Sequence, residues 1–232
     1  MHIFRRLLTS LLLVCVACSA AAETVAVIGT GNVGMALGSE FSGLGHDVIY
    51  GSRSPESEKT QDLVVKTSAA AAMLPADAAA EAEVIVLAVP GMVTELVASA
   101  LGDLSGKLII DATNPLVFEG SPPVVSYGVD TSLGEIVQAL HPDAFVVKAF
   151  NTISWPQMMD PKAESTPPVV PIAGNDESSR ERVAAYVSAM DLDPLDLGGI
   201  ENAQWTERTV VIALNNAFTG KEKFDVILQR RD

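Results

Sequence analysis

Three glycines, Gly29, Gly31 and Gly34, stand in the spacing G-x-G-x-x-G directly after the apolar run Thr24–Ile28 and before a segment with helical periodicity. Each answers a separate demand of pyrophosphate binding. The first permits a tight turn, the second lets the backbone approach the phosphates, and the third lets a helix pack close to a strand. A helix opening at Asn32 would then aim free N–H groups and the positive end of its dipole at the anion. Alone, the spacing is a weak signal; between a buried strand and an amphipathic helix it is a strong one.

The end of the next strand reads "VIYGSRS". A site for NAD carries an acidic side chain there, about 20 residues past the glycines, to bond the ribose 2′-hydroxyl. Here Gly51 occupies that place, Asp47 lies at the opposite end of the strand, and Ser52 and Arg53 follow. A guanidinium forms paired, charge-assisted bonds to phosphate, and a hydroxyl adds a donor. The residues therefore select the 2′-phosphate of NADP over NAD. Lys59 would add charge nearby if its segment folds back.

In open α/β sheets, ligands lie beyond the carboxyl ends of the strands. That rule gathers Val89-Pro90, Asn114-Pro115 and Asn151-Thr152 around the nicotinamide, since each ends an apolar run: "VIVLAVP", "LIIDATNP" and "FVVKAFNTI". Any one of them reads equally well as turn chemistry at a strand end; three at one sheet edge argue for a site. Hydride chemistry belongs to the cofactors, so the protein needs to position them and exclude water rather than supply an acid–base pair. No catalytic side chain is assigned. His46 and His141 fall in turns and read as structural, and Lys148 points toward or away from the cleft with equal ease by strand alternation. No metal site is expected: three histidines and carboxylates without ligand spacing offer none.

The elements that must hold these residues alternate along the chain. Strands are expected at 24–28, 48–51, 62–66, 84–89, 107–111, 145–150, 169–173, 194–197 and 224–228. Helices are expected at 32–44, 75–83, 93–101, 132–140 and 176–190, with a long one from about residue 201. Loops are expected at 156–168 and in the proline-rich stretches 121–123 and 167–171. Such alternation predicts an α/β, Rossmann-type doubly wound and mostly parallel sheet with right-handed crossovers and a small C-terminal α/β extension. The 232 residues divide into a leader (1–22), an NADP-binding domain (23–152) and an acceptor-side region (153–232).

The leader has the zones of a secretory signal: Arg5 and Arg6, an apolar stretch from Leu7 to Ala17, and the small residues Ala20, Ala21 and Ala22. It is too short to span a bilayer, which takes about 20 apolar residues. The paired arginines partly match a twin-arginine signal, although Thr9 follows Leu8. Cys18 as a lipoprotein acceptor fits less well, with Cys15 three positions earlier. The expectation is an exported, periplasmic chain; a cytoplasmic one would follow if residues 1–22 were not translated. Both cysteines lie in the leader, so cleavage after Ala22 removes thiol chemistry. It also removes two arginines, leaving 13 basic against 29 acidic side chains, a formal charge of −16. That surface argues against nucleic acid and anionic membranes as partners.

The stretches "VAVIGTGNVGMALG", "GHDVIYGSRSP", "VIVLAVP", "DATNP", "VVKAFNTIS" and "DLGGIENA" together resemble the NADPH-dependent deazaflavin (coenzyme F420) reductases. The same Rossmann module heads the six-transmembrane metalloreductases and is related to the N-terminal domain of pyrroline-5-carboxylate reductases. Strands at 169–173 and 194–197 argue against the all-helical C-terminal domain of the latter. The resemblance implies that Thr30, Gly31, Asn32, Val33, Ser52 and Arg53 contact NADP, and that a deazaflavin or flavin-type acceptor stacks on the nicotinamide over a cleft built partly by residues after Asn151. It also implies a homodimer. A flavin-relayed ferric reductase, or an NADP-binding redox sensor without turnover, are the alternatives.

Overall fold

The structure is a computed structural model that describes residues 22–117, 124–125, 130–163, 165–219 and 228. The leader up to residue 21, the proline-rich stretch 121–123 and the expected strand at 224–228, Leu228 excepted, lie outside the described residues.

Six strands form the parallel body: β1 (Thr24–Ile28), β2 (Asp47–Gly51), β3 (Ala71–Met73), β4 (Val84–Leu87), β5 (Leu108–Asp111) and, after the antiparallel pair of short strands β6 (Leu116–Val117) and β7 (Val124–Val125), β8 (Phe145–Lys148). Their order, β3-β2-β1-β4-β5-β8, reverses between β1 and β4, which is the switch point of a Rossmann sheet. β9 (Val169–Gly174) joins β8 antiparallel through Val147↔Gly174 and Lys148↔Ala173, and β10 (Asp193–Asp196) runs parallel to β9. The region after residue 152 thus extends the same sheet.

Helices α1 (Asn32–Gly43), α2 (Glu58–Lys66), α3 (Pro75–Glu81), α4 (Gly91–Ser99), α5 (Leu133–Leu140), α6 (Trp155–Met159), α7 (Glu177–Ala189) and α8 (Ala203–Thr219) cover both faces. Strand side chains alternate between two cores. Val25, Val27, Val86, Ile110 and Val147 meet Leu37 and Phe41 of α1 and Val183 and Val187 of α7. Ala26, Ile28, Ile85, Leu87 and Ile109 meet Ala78 and Ala79 of α3, Ala98 of α4 and Val137 of α5. Central strands buried on both faces must be apolar at every position, hence the continuous runs in the sequence.

Three expectations are corrected. Residues 62–66 form part of α2 rather than a strand: Ser57 caps the helix by accepting from Thr60 N, Thr60 and Leu63 are buried, and Val64 packs partly buried against the core. The third strand is β3. The loop at 156–168 contains α6, opened by a capping box in which Ser154 and Gln157 bond reciprocally, and a short 3-10 turn at Pro161–Ala163. Pro171 sits inside β9 rather than in a loop. The carbonyls of Pro168 and Ile172 accept from β10, so the Pro171 nitrogen faces the opposite edge of β9, where Val169 N donates to Leu228 O at 2.9 Å and Ala173 and Gly174 pair with β8.

Candidate nucleotide site at the switch point

The glycine loop meets the three demands read from its spacing. Gly29 has φ +126°, and a Cβ there would fall on the Ala88 carbonyl, because its N–H donates to Gly51 O at 3.1 Å and draws the turn between β2 and β4. A Cβ at Gly34 would fall on the Gly29 carbonyl, so α1 packs against the turn that precedes it. At Gly31 nothing lies within 4 Å of a Cβ position: this is open space over the start of α1. Gly31 is the N-cap, without a side-chain cap bond, and the first turn of α1 carries no acid. Free N–H groups and an uncompensated dipole end face that space. Thr30 and Asn32 flank it, while Val33 packs on the core and holds the helix start down.

At the end of β2, Gly51 leaves room for Ile28, whose Cδ1 would be 2.6 Å from a Cβ. Ser52 is buried; its N–H donates to Met73 O at 2.8 Å, and its hydroxyl accepts from Ser54 N at 3.2 Å and pairs with Thr60 Oγ1 at 3.2 Å. The Ser52 hydroxyl therefore shapes the turn first. Thr60, which the sequence did not single out, completes a hydroxyl chain with Ser57 that ties the turn to α2. Arg53 projects from this braced turn, exposed and with no hydrogen-bond or ion-pair partner among the described residues. Lys59 is exposed on the first turn of α2.

Asn114 and Asn151 meet across the ends of β5 and β8. Asn114 Nδ2 donates to Asn151 O at 2.8 Å, and Asn151 Nδ2 donates to Asn114 Oδ1 at 3.0 Å. Phe150, buried with φ +64°, turns the chain into this pair. Val89 packs on the core, and Pro90 caps α4. Gly91, also unforeseen, lies so close that a Cβ would fall on the Asn114 carbonyl. Asn151 Oδ1 and Thr152 Oγ1 are buried without a hydrogen-bond partner among the described residues. A buried polar atom left unpaired is costly unless a ligand completes it. Together with the open space at Gly31 these orphaned oxygens fit a dinucleotide: phosphates on α1, a 2′-phosphate at Arg53, a carboxamide at Asn151 and Thr152.

Beneath the pair lies a buried ion cluster. Lys148, fully buried, donates to Asp111 Oδ2 at 3.0 Å and to Thr113 O at 2.5 Å, and pairs with Glu207 Oε1 of α8 at 2.7 Å. Asp111 Oδ1 accepts from Thr113 N and Oγ1, and Glu207 accepts from Leu133 N and Gly134 N at the start of α5. Burial pushes the Glu207 carboxyl above its ordinary range, with Lys148 pulling the other way. Alternation left the direction of Lys148 open; the structure turns it inward. Glu207 had no sequence signal, because its partners are distant in the chain.

His46 accepts from Glu23 N at 3.3 Å amid the rings of Phe41 and Tyr186, and His141 Nε2 lies 2.9 Å from Ala98 O. Both are structural. A cavity lined by Gln138, Phe145 and Asn175 opens at the other end of β8 and contains none of the site residues. Among the described residues no helix is long and apolar enough to cross a membrane.

The family model for coenzyme F420-dependent NADP oxidoreductases matches residues 24–115, from β1 through the turn after β5. The F420-dependent NADP reductase of Methanothermobacter thermautotrophicus is 31% identical over 208 residues, which cover 82% of this chain and 88% of that protein. A crystal structure assigned to an F420-dependent NADP-reductase of Arthrobacter sp. FB24 superposes with a TM-score of 0.79 at 31% identity, over 84% of this chain and 93% of that one. Metalloreductase STEAP3 of Rattus norvegicus is 30% identical over 187 residues, 80% of this chain; the chain spans only 36% of that metalloreductase.

Proposed function

The chain belongs to the coenzyme F420-dependent NADP oxidoreductases, and from that premise we propose that it transfers a hydride between NADPH and a deazaflavin or flavin-type acceptor. It is an NADP-dependent oxidoreductase. The observation that carries the proposed acceptor class is the length of the match: the resemblance to the methanogen reductase takes in 88% of that protein and 82% of this chain. Bound NADP(H) supplies the hydride chemistry. The residues of this chain do the rest. The N-terminus of α1 receives the pyrophosphate, Arg53 receives the 2′-phosphate, and Asn114, Asn151 and Thr152 orient the nicotinamide end at the mouth of β5 and β8. Residues 23–152 form the NADP-binding part, and the segment after Asn151, with α6 on α1, borders the acceptor. Export of the folded chain and homodimer formation belong to the same reading.

The test is steady-state NADPH oxidation by purified protein with a panel of deazaflavin, FMN, FAD and ferric chelate. Turnover with the deazaflavin or a flavin alone supports the proposal. Ferric reduction that requires added flavin supports the second reading, which the metalloreductase resemblance over 187 residues favours. NADPH binding without turnover on any acceptor would make the chain a redox sensor.

A further inference from the structure

A lysine with no exposed surface, between two carboxylates, is an expensive thing to keep in a fold. Removing ions from water costs several kcal/mol each, and neutral residues of similar size often serve stability as well or better. The position of this cluster suggests what it is kept for. Lys148 ends β8 and Asp111 ends β5, the two strands whose following turns carry Asn151 and Asn114. The ammonium bonds Thr113 O, the carbonyl of the peptide that leads into Asn114. Asp111 holds the same turn from its other side through Thr113 N and Oγ1. Three residues past Lys148, Asn151 returns to Asn114 in both directions. The connections close a ring: Lys148, Thr113, Asn114, Asn151 and back along the chain to Lys148.

We propose that Lys148, clamped by Asp111 and Glu207, is a positioning residue that fixes the Thr113–Asn114 peptide and, through it, the Asn114–Asn151 pair against the nicotinamide carboxamide. This rests on the NADP site described above. Glu207 brings α8 into the arrangement: its carboxylate holds Lys148 on one side and the first N–H groups of α5 on the other. The C-terminal helix is thereby joined to the nicotinamide end of the site, while the adenine end, on β2 and α2, shares none of these contacts.

That asymmetry gives the test. Binding of NADPH and of 2′-phospho-ADP-ribose, which lacks the nicotinamide, is measured by titration on folded variants. Lys148→Met alone leaves two buried carboxylates facing each other and is expected to compromise folding. The neutral triple variant Asp111→Asn/Lys148→Met/Glu207→Gln avoids that conflict. It should bind 2′-phospho-ADP-ribose as the parent does but NADPH about tenfold more weakly, the loss expected for a charge-assisted hydrogen bond. Should it not fold, Glu207→Gln carries the same comparison, with a selective loss of about threefold. Equal weakening of both ligands would make the cluster merely structural, and unchanged NADPH affinity in a folded variant would remove its role altogether. A parent chain that binds neither ligand would instead overturn the NADP site.

Discussion

Arg53 stands alone on its turn, and at the residue scale that isolation predicts a selective effect. The braced Ser52–Thr60–Ser57 hydroxyls hold the turn whether or not the guanidinium is present. Arg53→Ala should therefore leave the fold intact and weaken NADPH by tenfold or more, since a hydrogen bond to a charged group contributes about 1.5–3 kcal/mol. NADH, which has no 2′-phosphate, should bind almost as before; parallel titrations that show equal weakening would take the 2′-phosphate away from Arg53. Gly31 offers the complementary case. Its Cβ position is open, so Gly31→Val should keep the native circular dichroism, yet the branched side chain would fill the approach to the N-terminus of α1. Cofactor binding should be lost. Normal NADPH affinity in that variant would sink the placement of the phosphates. Gly29 and Gly34 would not separate the two effects, because a Cβ at either strikes backbone.

At the scale of elements, α7 is pinned to the start of β1 at the sheet end opposite the glycine loop. Glu23 accepts from Arg182 and from the Tyr186 hydroxyl, and the Tyr186 ring packs edge-on against Phe41 and His46. Burial, and then the bond to Glu23, push the Tyr186 hydroxyl up to about 12. The fold thus favours the neutral phenol. Its contribution to stability is complete below the ordinary value of 10.0 and is lost as pH rises toward about 12. Tyr186→Phe keeps the ring and gives up the hydrogen bond, so it should cost about 1 kcal/mol at neutral pH and flatten the alkaline loss; denaturant melts across pH 9 to 12 on both proteins would check this. An alkaline limb identical in both would deny Tyr186 that part. The elements also show what the sequence could convey. The glycine loop was legible because each glycine answers a backbone constraint that spacing alone records. The Asn114–Asn151 pair was legible only as two strand ends, because hydrogen bonds between residues 37 apart leave no periodic trace. Leu63-Val64-Val65 looked like a strand because a short apolar run fits either period; the decisive signal was the Ser57 cap, and Val65 is in fact 79% exposed. Glu207 illustrates the limit. Its partners come from β8 and α5, and only the fold brings them together.

For the whole molecule the open matter is where it works. The proposed dinucleotide site lies at the carboxyl edge of the sheet, whereas the expected leader would end at Ala22, just before Glu23 and the opposite end of β1. Cleavage after Ala22 would cut beside the Glu23 anchor rather than through it. The Glu23 carboxylate would keep Arg182 and Tyr186, and the new α-amine would sit where Glu23 N now donates to His46 Nδ1. These Glu23 contacts draw on α7 and the turn before β2, so we propose that they survive processing and that the cofactor is bound before it. We propose that NADP is loaded in the cytoplasm and that the chain is exported folded and occupied, with Arg5-Arg6 as the sequence feature that would select such a route. We expect the native gene to yield a periplasmic protein whose first residue is Glu23, carrying NADP at isolation. Arg5→Lys/Arg6→Lys should hold it in the cytoplasm with the leader attached and the cofactor site intact, as fractionation, N-terminal sequencing and NADPH titration of the retained form would show. Continued export of the lysine variant would exclude the twin-arginine route, and a wholly cytoplasmic native protein starting near Val25 would overturn export itself.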